Sequence, residues 1–337
     1  MRKNRFWRRS LSFLLAAFMS LSICIRPVSA AERERSLIPL GTAVGIKLFA
    51  DGALVVAVSP LDDEQSPAQD CGLKEGDLIL RLNSERIDST EQMQSLLQEN
   101  GTLPVHLTVR RGAKLLALDT EAVQCDDGVY RLGAWIRDSM AGIGTLTYYD
   151  PATGRYGALG HGITDVDTAQ LMPLSKGSIM ETTVKSVRKG VRGTPGELKG
   201  DFSVQRDVGT LTANTDGGIF GTVSDSSLVG GTPIPIGDAR QVHCGKAVIL
   251  STVDGEGPKE YTVEILRVYS GAQPTRNLLL QVTDERLLAV TGGIIPGMSG
   301  SPILQDGRLV GAVTHVLVDD PSRGYGIFIE NMLDMAG

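Results

Sequence analysis

The chain is poor in cysteine, and none of its four cysteines forms a CxxC pair. Cys24 lies in an N-terminal apolar run, and Cys71, Cys125 and Cys244 are far apart, which argues against both a disulfide framework and a cysteine-ligated zinc site. One disulfide with a free thiol stays open, but small buried thiols are the simpler expectation. No motif asks for a metal ion or a cofactor. Positive charge is also in short supply, with 33 Lys and Arg against 39 Asp and Glu. Residues 1–30 hold six of the basic side chains and no acid, so a chain beginning after Ala30 moves from a net charge of −6 to −12. So acidic a protein is a poor partner for nucleic acid. No repeat of fixed period is evident.

A long unbroken apolar run is missing too, and this shapes the reading of the N-terminus. Met1 to Arg9 is basic, Leu11 to Ile25 is apolar but interrupted by serines, and Val28-Ser29-Ala30 offers a small-residue cleavage site. That is the pattern of a secretory signal at residues 1–30, with an uncleaved anchor as the other option because the run is short for a spanning helix. Arg8-Arg9 fits twin-arginine export poorly, given the residues after it. The protein is therefore expected to be exported across the cytoplasmic membrane and to associate with it through this segment. The roughly 307 residues that remain are ample for two domains.

Residues 36–123 read as the first domain. Gly41-Thr42-Ala43-Val44-Gly45 leads into Ile46-Lys47-Leu48-Phe49, and Ala53 to Val58 is a second β-rich run. Ser66 to Asn83 gives a short helix, a Gly-Asp turn and a strand. Ser89 or Thr90 then caps an amphipathic helix reaching Asn100, with Met93, Leu96 and Leu97 on one face. Val105 to Arg110 and Lys114 to Val123 close the unit as a hairpin in which His106 is a strand residue. The whole run resembles a bacterial PDZ domain, an α+β fold. The resemblance implies a ligand peptide added as a strand beside Val44 to Leu48, Ile46 included, its carboxylate held by the loop Gly41, Thr42, Ala43, Val44 and Gly45. A PDZ fold used as an internal spacer is the competing expectation.

Residues 124–129, with Asp126-Asp127-Gly128, read as a linker, and the texture changes from Tyr130 to the end. Glycines recur every few residues, and short apolar runs alternate with turns: Ile143 to Tyr149, Ala247 to Val253, Tyr261 to Val268, Leu278 to Val282 and Leu309 to Val316. That pattern suits an all-β barrel or sandwich, so the molecule is mostly β. Lys185 to Gly200, rich in charge and glycine, reads as an exposed loop.

The chemistry gathers at Gly292 to Val318. Small residues around Ser299 permit a tight turn in which backbone N–H groups converge beside a hydroxyl, and strand, turn and strand follow from Ser301 to Thr314. A serine nucleophile needs a base, and His161, between Gly160 and Gly162, has one imidazole edge accessible for that task. The third group should be a carboxylate that orients the imidazole. Asp165 and Asp167 follow His161 too closely along a strand to face its ring; Asp284 is favoured and Asp216 held in reserve. Gly297 and Ser299 would supply the oxyanion N–H groups.

With His161, Asp284 and Ser299 in that order, residues 130–337 resemble a chymotrypsin-like double β-barrel peptidase. The whole chain more specifically resembles the sporulation stage IV B (SpoIVB) serine peptidases, through Ile136 to Thr145, Gly157 to His161, Gly218 to Gly221, Thr291 to Ile294, Gly297 to Pro302 and Gly311 to Val316. The resemblance implies an enzyme that cleaves itself and a membrane-bound regulator of an intramembrane metalloprotease, in the space between the two forespore membranes, leading to activation of a late sigma factor. One departure from trypsin-like enzymes stands out: the aspartate before their serine is Met298 here, so activation by an inserted N-terminal amine is not expected. Two other classes fit less well. A non-catalytic PDZ adaptor on a degenerate protease fold needs no working serine, and an acyl hydrolase needs a strand–elbow–helix context that Gly300-Ser301-Pro302 does not supply.

Overall fold

A computed structural model describes residues 35–61, 64–269, 271 and 274–337, so the expected signal or anchor at residues 1–30 lies outside the described residues. Strands β1 (Ser36–Pro39) and β2 (Ala43–Val58) come first, followed by the short helix α1 (Pro67–Asp70), β3 (Leu78–Leu82), β4 (Glu85–Arg86) and helix α2 (Thr90–Asn100). The chain continues through β5 (Pro104–Arg111), β6 (Lys114–Glu121), β7 (Val123–Gln124), β8 (Tyr130–Arg131), β9 (Ala134–Asp150), β10 (Arg155–Ala158), β11 (Lys176–Arg188), β12 (Glu197–Thr215) and β13 (Gly218–Val223). After β14 (Ile234–Pro235) come β15 (Gly245–Ser251), β16 (Lys259–Val268), β17 (Leu278–Val282), helix α3 (Glu285–Thr291), β18 (Pro302–Gln305), β19 (Arg308–Leu317), β20 (Asp320–Phe328) and helix α4 (Ile329–Asp334).

Two closed barrels emerge from the pairing. The first runs β9-β10-β13-β12-β11-β2 and closes because β2 also pairs with β9, Ala43 opposite Thr145 through Phe49 opposite Ser139. The second is β15-β16-β17-β20-β19-β18. Closure removes the unpaired edges that an open sheet would leave. Period-2 patterning directs the side chains: in β16, Tyr261, Val263 and Ile265 are buried while Glu260, Thr262 and Glu264 face water. Val263 and Ile265 join Ile249, Leu280, Met298 and Val313 in one core, and Val44, Ile46 and Leu48 join Leu146, Tyr156 and Leu211 in the other.

The PDZ-like unit grows out of the first barrel on the same strand. β2 passes a register shift between Phe49 and Leu54, and its distal half pairs with β3, which continues through β5 to β6. A separate core of Val55, Ile79, Met93, Leu97, Leu107 and Val109 fills the space under α2. That helix is capped as its sequence predicts, Ser89 Oγ accepting from Gln92 N at 3.0 Å. His106 is exposed and sits 2.5 Å from Asp119.

Several boundaries differ from the sequence reading. Residues 36–50 belong to the first barrel and its flank, since β1 pairs with β9 and β14 and β2 lies between β9 and β11. The 124–129 linker is a tight turn joining the paired β7 and β8. Lys185 to Gly200 is not a loop but the far end of the β11–β12 hairpin, with only residues 189–196 outside the two strands. Cys125 is buried, Cys71 half-buried and Cys244 exposed, and all three are free thiols.

Candidate active site

Ser299 sits in the turn that enters β18. Met298 points the other way, fully buried in the core of the second barrel, which anchors the turn and leaves Ser299 facing out. The first barrel fastens the same turn from outside. Thr145 N donates to Ser299 O at 3.0 Å and Thr145 Oγ1 to Gly297 O at 2.8 Å, while Thr147 Oγ1 donates to Gly300 O at 2.8 Å. This approach requires glycine at 300, where φ is +95° and a Cβ would lie 2.0 Å from the Thr145 carbonyl. Met298 N donates to Ile295 O, Gly300 N to Val313 O and Ser301 N to Met298 O; the N–H groups of Gly297 and Ser299 are outside that set. Ser301 bonds the buried Ser251 hydroxyl at 3.0 Å and shapes the turn.

His161 follows β10 through two residues in the left-handed region, Leu159 at φ +69° and Gly160 at +68°. Leu159 is not a residue that adopts this backbone without cost, typically about 1–3 kcal/mol, and such strain persists where surrounding packing imposes it. Glycine at 160 lets the chain approach Thr314 and Ile327 of the second barrel, and glycine at 162 lets it pass under Thr215. The imidazole Nδ1 lies 2.9 Å from Gly162 O. A carbonyl only accepts, so Nδ1 carries the proton and Nε2 bears the lone pair. Burial holds the His161 pKa below its ordinary value, partly opposed by the Gly162 carbonyl.

His161 and Ser299 line one cavity of about 410 Å³, together with Ile46, Met140, Ile143, Leu159, Ile294 and His315. Among the described residues, no aspartate or glutamate lines it. The Ser299 hydroxyl donates to Thr314 O at 2.7 Å, so in this state its proton rests on a backbone carbonyl. His315 stacks on His161 with ring centroids 4.9 Å apart. Its Nδ1 is buried with no hydrogen-bond partner, as is Thr314 Oγ1. Burial, with the neighbouring His161 and Arg276, pushes the His315 pKa down to about 4.

Asp284 requires a correction. It is the N-cap of α3, accepting from Arg286 N and Leu287 N, and its carboxylate also accepts from Thr262 N at 3.2 Å and pairs with Arg286 at 2.8 Å. The Arg286 guanidinium chiefly holds its pKa down at about 2, against the effect of burial. It contributes nothing to the cavity beside His161. The physical reason is local: Asp284 follows β17 as the cap of the next helix, and its oxygens are taken up there by the α3 N–H groups, Thr262 N and Arg286. Asp216 is exposed at the β12–β13 turn. Asp165 is buried, but it is engaged by Arg137 and Thr168.

The PDZ loop and strand need correction as well. Val44 to Phe49 pair with β11 on one side and β9 on the other, so no edge remains for an added peptide. Gly41, Thr42 and Ala43 pack between the barrels, Gly41 O accepting from Thr252 Oγ1 at 3.0 Å. Ile46 lines the catalytic cavity instead. The groove beside α2 is formed by Met93 and Leu97 of the helix, by Ser59 to Leu61, and by Arg131 to Ile136 at the start of β9. Its volume is about 810 Å³.

With this geometry in place, comparison with known proteins is decisive at the family level. The model of the SpoIVB peptidase S55 family matches residues 128–333, and that of the PDZ domain matches residues 63–111. The chain belongs to the SpoIVB peptidase S55 family. The S55 match begins after β2, although that strand closes the barrel. Serine protease HTRA1 of Xenopus tropicalis is 36% identical over 61 residues, which is 18% of this chain and 12% of that protein's length. Among solved structures, an HtrA-type protease AlgW with a decapeptide covers 89% of this chain and 64% of its own at 11% identity and TM-score 0.37. The Rv3671c protease from M. tuberculosis in its active form covers 59% of this chain and 73% of its own, at 14% identity and TM-score 0.33. The PDZ domain of the SdrC-like protein from Listeria monocytogenes covers 26% of this chain and 87% of its own at 22% identity, with a TM-score of 0.22. This S55 chain also has no helix among its described residues long and apolar enough to cross a membrane, and no described group of three His, Cys, Asp or Glu suited to a metal ion.

Two groups escaped the sequence reading. Thr145 and Thr147 hold the nucleophile turn, and their signal is the i, i+2 spacing of two threonines on one face of an otherwise apolar strand. His315 carries no local signal of its role, since its tilted ring contact with His161 depends on a barrel-to-barrel approach that no local pattern encodes.

Proposed function

We propose that this S55 chain is a serine endopeptidase in which Ser299 is the nucleophile and His161 the base, the imidazole being oriented by the Gly162 carbonyl and packed against a neutral His315. The single observation behind the reading is that Ser299 and His161, carried by different barrels, line one cavity with no carboxylate among its described residues. Rotation of the Ser299 hydroxyl away from Thr314 O frees its proton for Nε2 of His161 as Oγ attacks a peptide carbonyl. The N–H groups of Gly297 and Ser299 receive the developing oxyanion; one such donor is worth roughly 10²- to 10³-fold in rate. His161 then gives its proton to the departing amine, and water resolves the acyl-enzyme by the same path in reverse. Imidazolium formed in this buried place is stabilised through Nδ1–H by the Gly162 carbonyl, a weaker partner than a carboxylate. A neutral His315 adds no second positive charge.

The apolar wall made by Ile46, Met140, Ile143, Leu159 and Ile294 favours a substrate with an aliphatic side chain at the scissile residue. In its biological setting the proposal follows the family: an exported sporulation signalling protease that processes its own N-terminal segment and cleaves a membrane-bound regulator of an intramembrane metalloprotease, leading to late sigma-factor activation. The groove beside α2 is the place for a PDZ ligand peptide, beside Ala134 to Ile136. Fluorophosphonate labelling and self-processing of the full chain beside Ser299→Ala test the reading. Both activities are expected to vanish in the variant. Should the parent neither label nor process itself, the non-catalytic adaptor becomes the better account.

A further inference from the structure

The hairpin joining β11 to β12 carries a surface that the cleft chemistry does not use. Its tip reaches across to the second barrel: Gly190 N donates to Thr291 O at 2.8 Å, Gly193 N to Val318 O at 2.9 Å, and Lys189 Nζ to Ala289 O at 3.2 Å. These bonds tie the backbone on one side of Val191 to Thr291, the neighbour of Val290 at the end of α3, and on the other side to Val318 in the β19–β20 turn. The three valines are 56%, 45% and 47% exposed, and they make up three of the eight large apolar side chains exposed among the described residues. Single exposed valines are ordinary, but three brought together on tied-down backbone are not.

Lys189 and Arg192 flank Val191 along the chain, and Lys185, Arg188 and Lys199 follow on the two strands behind the tip; all five are exposed. Between residues 185 and 199 the one acid is Glu197, which pairs with Arg188 at 3.4 Å; elsewhere on the hairpin lie Glu181, paired with Arg206 at 2.9 Å, Asp201 and Asp207, and on the adjoining turn Asp319 and Asp320, the latter paired with Arg323 at 3.3 Å. A chain whose net charge is −6 thus concentrates cations at one hairpin and surrounds aliphatic side chains with them. An acidic protein segment would complement the cations but leave the valines unmatched. Anionic lipid complements both, phosphates meeting the Lys and Arg heads and the headgroup–acyl boundary receiving the valines.

We infer that this tip is a contact surface for an anionic lipid bilayer, docking Val191, Val290 and Val318 into the headgroup region. Just behind the tip the hairpin is tied to the nucleophile turn, Leu198 N donating to Pro296 O at 3.0 Å, so docking holds the cleft close to the membrane plane. The surface itself needs no turnover, and the inference stands apart from the peptidase reading.

Because the apolar run Leu11 to Ile25 is expected to bind lipid by itself, the readout is placed at the tip. Full-length Val191→Trp is titrated with phosphatidylcholine vesicles with and without phosphatidylglycerol, and its emission is read as a difference from the parent protein. A blue shift quenched by brominated lipid is expected with the anionic vesicles alone, fading as salt is raised. Adding Lys189→Glu and Arg192→Glu is expected to weaken the response at least tenfold, with Lys189→Gln and Arg192→Gln as the milder pair if the reversal unfolds the chain. An unchanged emission, an equal response to neutral vesicles, or a shift with polyglutamate and none with vesicles would overturn the inference.

Discussion

A half-buried imidazole with a lone pair on Nε2 is ready to accept a proton, and desolvation favours that neutral form by lowering the His161 pKa from its ordinary value. The rate of fluorophosphonate labelling is therefore expected to rise with pH through a pKa below about 6.5, the ordinary histidine value. A midpoint above that value would mean that a carboxylate raises the His161 pKa. The stability sign follows from the same burial. Unfolded His315 binds its proton near pH 6.5 but folded His315 only near about 4, so the native state loses stability as pH falls through that window and keeps it in full above. His315→Phe preserves a ring against His161 and should flatten the fall in melting temperature between pH 7 and 5. At Asp284 the expectation is structural: Asp284→Ala removes an N-cap, worth about 1 kcal/mol or more, and a partner of Arg286. It should lower the melting temperature while the folded fraction still labels. Ser299 and His161 stood out in the sequence because small neighbours and chemistry pointed the same way. Asp284 misled because an aspartate after a strand serves equally as a helix cap, and Glu285 behind it with Gly292 seven residues further on spell a helix start and stop.

Strand β9 carries more of the mechanism than any other element. Its start faces the groove beside α2, its middle walls the catalytic cavity with Met140 to Ile143, and Thr145 and Thr147 hold the nucleophile turn. Replacing Thr145 by Val leaves the strand shape intact but strips Gly297 O of its hydroxyl partner inside a buried contact, typically about 1–3 kcal/mol. Labelling of Thr145→Val is expected to slow at least tenfold with little change in far-ultraviolet circular dichroism. Gly300→Ala should be worse, since a Cβ there has no room against the Thr145 carbonyl. The strands themselves were legible from short apolar runs between turns, β15, β16 and β17 nearly to the residue. Thr145's role was not, because a hydrogen bond across barrels links residues more than 150 positions apart.

At the scale of the molecule, the PDZ-like unit is not a bead on a string. β2 leaves the first barrel to begin it and β9 returns from it, so residues 59–133 form an excursion between two neighbouring strands, with Val58 opposite Ala134 and Ser59 N bonded to Gly133 O at 2.9 Å. A linear reading cut the chain at 124–129, but a barrel strand had already been spent on the first domain. Residues 126–337 alone lack β1 and β2 and are expected not to fold. A chain in which a two-residue turn joins Ser59 directly to Gly133 keeps both barrels and should fold and label.

The most direct test compares labelling rates of full-length Ser299→Ala, His161→Ala and Asp284→Asn with the parent at equal folded fraction. The account predicts no labelling for the first two and a loss of less than tenfold for the third. An Asp284→Asn protein that melts normally yet labels no faster than His161→Ala would contradict it, and would mean that the working enzyme brings that carboxylate to His161.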